Sequence, residues 1–225
     1  MVFQKMFQYL RYFFYIGIHW NWRIAFILLR HEIKGEKKYH INTTGADELK
    51  QLKQQDIDIS HSTMYMPVSY ELIEAALKEI PVKNKRHFLD IGCGKGRAMC
   101  VAAYHGFTRI SGVDFSRTFC EAAEKNLLTV KQQLPAIDFF ISVEDAAGAI
   151  IPPDVDCIFL FNPFDETVMK KVVHNIKQSL DKHPRALNII YANPLYKKLF
   201  TSNGFSETFH LKKLTYFEIS ILGRK

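Results

Sequence analysis

Phe88-Leu89-Asp90-Ile91-Gly92-Cys93-Gly94-Lys95-Gly96-Arg97 is an apolar run that breaks into three alternating glycines and continues into the helix-forming Ala98-Met99-Cys100-Val101-Ala102-Ala103. Strand, tight turn and helix follow one another in the order a nucleotide site needs. Without Cβ atoms at Gly92, Gly94 and Gly96 the backbone can turn sharply and approach a ligand, and the helix that follows offers unpaired N–H groups. Three ligand classes use such turns. A phosphate-binding G-x-x-x-x-G-K-[ST] loop has no match here. A dinucleotide turn, G-x-G-x-x-G/A, would begin at Gly92 and set Arg97 where a small residue must let the helix approach the strand, which weakens that reading. The third pattern, D-x-G-x-G-x-G, is met in full by Asp90, Gly92, Gly94 and Gly96.

Outward from this turn the chain alternates between β-branched or aromatic runs and helical stretches, the pattern of an α/β fold with a mostly parallel sheet and helices on both faces. Seven strands are predicted, at His87–Ile91, Arg109–Val113, Ile137–Ser142, Val155–Phe161, Leu187–Tyr191, Glu207–Leu211 and Thr215–Leu222. Ser116 reads as the N-cap of a helix through Val130. Asp165 caps another, with the apolar face Val168, Met169, Val172, Val173, Ile176 and Leu180. The helix after the first strand should stop at His105 and Gly106, and an earlier one, Ser69–Ile80, should present Leu72, Ile73, Ala76, Leu77 and Ile80.

At 225 residues, 48% hydrophobic and 24% charged, the chain has the makings of one full domain with an extension, and neither disorder nor a disulfide-dense scaffold fits. The net charge of +7 is not a single basic stripe: residues 121–166 hold nine acidic against two basic residues, so no strong nucleic-acid signature emerges. Cys93, Cys100, Cys120 and Cys157 form no C-x-x-C pair and lack histidines at ligand spacing; they read as buried, reduced thiols, and no metal site is expected. With no signal peptide legible, the expected address is cytoplasmic.

Residues 1–30 carry ten of the thirty aromatic residues, both tryptophans (Trp20 and Trp22) among them. The longest uncharged run there, Tyr12–Trp22, has eleven residues and Arg23 ends it, too short for the ~20 apolar residues of a membrane span. The expected organisation is an aromatic-rich helical extension over residues 1–45, followed by a Rossmann-like domain over 46–225. Packing of the extension on the protein's own surface is the plain expectation; a membrane surface or a dimer contact through residues 1–30 stays open.

With D-x-G-x-G-x-G at Asp90–Gly96, the sequence resembles the class I S-adenosylmethionine-dependent methyltransferases over roughly residues 65–222. The resemblance implies S-adenosylmethionine as cofactor and contacts to it from Asp90, Gly92, Cys93, Gly94 and Gly96. It further implies that Asp114, in Gly112-Val113-Asp114-Phe115-Ser116, binds the ribose hydroxyls, that Phe115 flanks the adenine, and that Asp145-Ala146 meets the adenine amino group. The family places its catalytic motif after the fourth strand, where Asn162-Pro163-Phe164 stands, with Asn162 near the cofactor as well. The last two strands match the family's antiparallel C-terminal hairpin.

Asn162 and Phe164 are the expected catalytic residues. Methyl transfer is an in-line displacement that needs orientation more than a nucleophile, and no Ser-His-Asp or Cys-His arrangement is recognisable. Asn162 offers a carbonyl that can accept from an N–H, and Phe164 an apolar wall. The trio resembles the N-P-P-Y/F motif of methyltransferases acting on planar amide or adenine nitrogen, without the second proline, so lysine amines, small amines and even oxygen stay open. The expected activity is methylation, on nitrogen, of an unidentified acceptor: a protein side chain, RNA or a small-molecule amine. A non-catalytic cofactor-binding protein and an NAD-dependent oxidoreductase are the alternatives. Lys95 and Arg97 are expected to be solvated or near the cofactor carboxylate, and Asp154, Asp156, Asp165 and Glu166 to form an exposed acidic rim. Tyr65, Met66 and Pro67 read as a packed connector or a cover over the site.

Overall fold

The computed structural model describes residues 2–19, 21–44, 68–161, 164–214 and 217–224. Helices α1 (Val2–His19), α2 (Trp22–Tyr39) and α3 (Tyr70–Glu79) precede an alternation of β1 (His87–Ile91), α4 (Arg97–Tyr104), β2 (Arg109–Asp114), α5 (Arg117–Gln133), β3 (Asp138–Val143) and β4 (Cys157–Phe161). After these come α6 (Glu166–Lys182), β5 (Leu187–Ala192), α7 (Lys197–Thr201), β6 (Ser206–Leu214) and β7 (Phe217–Arg224). The strands form one sheet in the order β3-β2-β1-β4-β5-β7-β6, with β7 antiparallel to both its neighbours and the first five strands parallel. All seven expected strands are present, the first with the expected ends and the others with shifted ones. Val155 lies before β4 because its N–H bonds back to the Pro152 carbonyl at 3.3 Å. The hairpin strand β6 runs nine residues, on through Lys212 and Lys213, because β7 continues to pair with it.

Strand alternation splits the core in two. Phe88, Ile110, Cys157, Phe159, Ile190 and Ile221 face α3, α4 and α5; Leu89, Ile91, Val113, Ile158, Leu160 and Ile189 face α6 and α7. Fully burying one such side chain contributes about 1.5–3 kcal/mol, so sidedness fixes the register. Helix starts follow their caps. The Ser116 hydroxyl accepts from the Phe119 N–H at 3.3 Å, and the Asp165 carboxylate accepts from the Val168 N–H at 3.0 Å. As expected, α4 stops at His105 and Gly106, the latter at φ 99°.

Between α1 and α2 lies a small core of Tyr12, Ile16, Ala25 and Leu28. Helix α2 then settles on α3 through Gly35, where an added Cβ would stand 2.2 Å from the Tyr70 ring, a contact only glycine permits. The helical extension is thus packed on the α/β body. Residues 45–67, where the expected domain boundary falls, lie outside the described residues, as do Asn162, Pro163, Tyr65, Met66 and Pro67.

Candidate functional site

Strand order reverses at β1, which has β2 on one side and β4 on the other, and the crevice outside the strand C-termini at such a point is where open α/β sheets bind ligands. The glycine turn rises there from β1. Gly92, Gly94 and Gly96 all take positive φ (82°, 51° and 76°), a region strained for residues with a Cβ. At Gly96 an added Cβ would also stand 3.0 Å from the Ala123 Cβ of α5, so the turn is pinned between β1 and α5. Its backbone is tied to β2: the N–H groups of Gly92 and Cys93 donate to the Val113 carbonyl at 2.8 and 3.0 Å.

Two buried carboxylates flank the turn. Asp114, at the end of β2, accepts from the Gly94 N–H and the Ser116 N–H, each at 2.9 Å. Burial raises its carboxyl to about 6, against the lowering effect of those two N–H donors. Asp90, at the end of β1, is pushed well above the carboxylate range by burial and then by the charge of Asp114. Cys93 is held as the thiol by its hydrogen-bond partner Cys120, by burial and by both carboxylates, so it lines the turn and is no nucleophile.

The cations beside the turn are buried, which excludes the solvated one of their two expected placements. Arg97 is not solvated: its side chain is 4% exposed and forms a two-point ion pair with Glu32 of α2. Its guanidinium also donates to Thr43 Oγ1 at 2.9 Å and the Val68 carbonyl at 2.8 Å, and stacks 4.2 Å from the Tyr70 ring centroid. Lys95 is buried as well, and its ammonium donates to the Thr44 carbonyl at 3.3 Å. One turn along α2, Glu36 accepts from the N–H groups of Thr43 and Thr44, both at 2.7 Å, and from the Tyr9 hydroxyl at 2.5 Å. Burial alone would raise the Glu36 carboxyl, but these donors, with Lys5 at 3.1 Å, hold it below its usual value. The sequence reading missed this clamp. Its legible signal was a pair of glutamates four residues apart in an otherwise basic and aromatic segment, 61 and 65 positions before an arginine placed where a small residue is usual.

Other expected residues fall at neighbouring strand ends. Phe115 is half-buried beyond β2. Asp145 is exposed after β3 and caps a short 3-10 turn through the Ala147 N–H at 2.8 Å, with Ala146 buried beneath it. Phe164 is 8% exposed, about as buried as Asp114, and packs beside α6. Of the expected acidic rim, Glu166 is exposed and Asp154 and Asp165 are part-exposed, but Asp156 is not on the surface. Asp156 is buried and holds Arg86 at 2.7 Å, Asp154 pairs with His87 and Arg109, and Asp165 is a helix cap. All four cysteines are buried and unbridged, and among the described residues no histidine, cysteine and carboxylate cluster fits a metal.

These features fit a cofactor with ribose hydroxyls and a positive sulfur. A glycine turn allows close approach, and the Asp114 carboxylate can accept from hydroxyls and favours a cation. A pyrophosphate would meet that same carboxylate, while Arg97 beside the turn is neutralised by Glu32. Residues 88–183 match the family model of a methyltransferase domain. Among solved structures, the PH0226 protein of Pyrococcus horikoshii OT3 shares 16% identity over 69% of this chain and 89% of its own, with a TM-score of 0.52. Magnesium protoporphyrin IX methyltransferase of Synechocystis PCC 6803, solved with bound S-adenosylmethionine, shares 17% identity over 69% of this chain and 79% of its own, with a TM-score of 0.49. The O-methyltransferase segment of StiE, 18% identical at a TM-score of 0.49, covers 63% of this chain, which spans only 53% of that one. No curated protein matches the sequence. Taken with the strand order and the glycine turn, the match defines the class of this segment: residues 88–183 form a methyltransferase domain of the S-adenosylmethionine-dependent kind, and S-adenosylmethionine is its cofactor.

Proposed function

We propose that the protein transfers the methyl group of S-adenosylmethionine to a nitrogen atom of its acceptor. The supporting observation is positional: Asn162 follows Phe161, the last residue of β4, and β4 pairs with β1, whose end carries the glycine turn. Bound S-adenosylmethionine supplies an activated methyl group on a sulfonium. The acceptor's lone pair forms the new N–C bond as the S–C bond breaks, with the electron pair left on sulfur and the N–H proton released to water. The chain's task is orientation, which supplies up to roughly 7–11 kcal/mol in ideal cases. In this reading Asp114 accepts from the ribose hydroxyls, Asp145-Ala146 meets the adenine, and the Asn162 carbonyl accepts from the acceptor's N–H so that its lone pair faces the methyl group. The test is incubation of the full chain with radiolabelled cofactor and cell extract, resolved into protein, RNA, lipid and small-molecule fractions. Label on nitrogen supports the reading, and label only on oxygen or carbon overturns it.

A further inference from the structure

Helices α1 and α2 turn outward a surface that combines apolar, aromatic and basic groups and carries no acid. On α1, Phe7, Leu10, Phe14 and Ile18 recur at three- to four-residue spacing, and each is about half exposed or more, Ile18 reaching 70%. On α2, Trp22, Phe26, Ile27 and Ile33 are exposed at 41–62%. The basic Arg23, Arg30, Lys34 and Lys37 stand among them on the same side of the helix. Phe14 and Trp22 meet edge-on at 6.0 Å, which joins the two faces into one. Residues 1–44 contain only two acidic residues, Glu32 and Glu36, and both are buried within 3% exposure and paired inward. On adjacent α3, Glu74 is engaged by Lys38, and Glu71 by Lys213.

Soluble proteins seldom expose a contiguous face of this kind without a partner. We propose that the α1–α2 hairpin lies flat on an anionic phospholipid surface, its aromatic and aliphatic side chains entering the headgroup boundary and its arginines and lysines meeting lipid phosphates and carboxylates. Three observations favour lipid over other occupants. Nucleic acid would satisfy the charge but offers no apolar phase for Leu10, Ile18, Ile27 and Ile33. A second copy, joined through the same face, would set Arg23, Arg30, Lys34 and Lys37 against their own counterparts with no carboxylate between, a like-charge contact that opposes association. An in-plane helix with a basic polar side is the form an interfacial anchor takes, and among the described residues no helix is long and apolar enough to cross a membrane. The proposal is independent of which acceptor is methylated.

The test uses the full-length protein. The sequence has two tryptophans, Trp20 and Trp22, both within residues 1–44, so tryptophan emission reports on that segment alone. With vesicles of phosphatidylcholine containing about 30% phosphatidylserine, the protein should sediment, its emission should shift to the blue, and brominated lipid should quench it. With phosphatidylcholine alone, or in high salt, binding should fall sharply. Each basic residue at the surface is worth about a fivefold change in affinity, so Arg30→Glu with Lys34→Glu should weaken binding at least about 25-fold. Phe26→Ser should weaken it further, with the melting temperature unchanged in both. Wild-type protein that stays in the supernatant at low salt overturns the proposal, as does equal binding by the double variant. A concentration-dependent dimer whose tryptophans are buried without lipid would show that a second copy covers the face, and would overturn it too.

Discussion

Replacing Glu32 by glutamine keeps the side chain's shape and removes its charge, leaving the Arg97 guanidinium buried opposite a neutral amide. Both side chains are 4% exposed, and removing one partner of a buried pair generally costs 3–5 kcal/mol because the remaining charge is uncompensated. Thr43 Oγ1, the Val68 carbonyl and the Tyr70 ring still serve Arg97, which sets the expected loss near the lower end, about 3 kcal/mol. For a chain of this size each kcal/mol moves the melting temperature by about 2–4 °C, so Glu32→Gln should melt about 6–12 °C lower. Arg97→Met alone should also destabilise, by stranding Glu32. The double variant should recover most of the loss, since a neutral pair has no stranded charge. Because Arg97 directly follows Gly96, the single variants should also bind S-adenosylhomocysteine more weakly. Melting by differential scanning calorimetry and cofactor titration decide. A Glu32→Gln melting temperature within about 2 °C of wild type, or a double variant no more stable than the singles, would refute the clamp.

Two further outcomes follow from the site. Asp114 is expected to bind the ribose as the carboxylate, so cofactor affinity should be flat above about pH 7 and fall toward tenfold per unit as pH drops below about 6, with Asp114→Ala weaker by about 1.5–3 kcal/mol above pH 7 and the gap closing as the wild-type carboxyl is protonated. The raised carboxyl has the opposite sign for stability: the native state keeps a proton that the unfolded chain has released, so Asp114's contribution makes the free protein less stable as pH rises from about 4 to 6. Parallel trends in affinity and stability through that window would contradict the assignment. Asn162→Ala should cut turnover by roughly 100-fold with cofactor affinity changed far less, whereas unchanged turnover on the identified acceptor would remove Asn162 from the reaction.

Much of the sheet was legible because its signals are local. Leu89, Asp90 and Ile91 run straight into glycines, and Val113 and Asp114 into Ser116, so strand ends, turn and caps are written within a few residues of one another. Asp165 capped the helix whose apolar spacing announced it. The clamp on Arg97 was not legible in this way. Whether an arginine is solvated or buried depends on a partner 65 positions away, on a helix whose docking is set by a single missing Cβ at Gly35. Asp154 and Asp156 misled for the same reason: two positions apart in sequence, they take different partners, Asp156 Arg86 and Asp154 the side chains of His87 and Arg109.

If the glycine turn and the Asp114 carboxylate hold S-adenosylmethionine, a bound product must stabilise the fold. S-adenosylhomocysteine at about 100 times its dissociation constant should stabilise the fold by roughly 2.7 kcal/mol, a rise of about 5–11 °C in melting temperature, and NAD should leave the melting temperature unchanged. Stabilisation by NAD equal to or greater than that by S-adenosylhomocysteine would contradict the account.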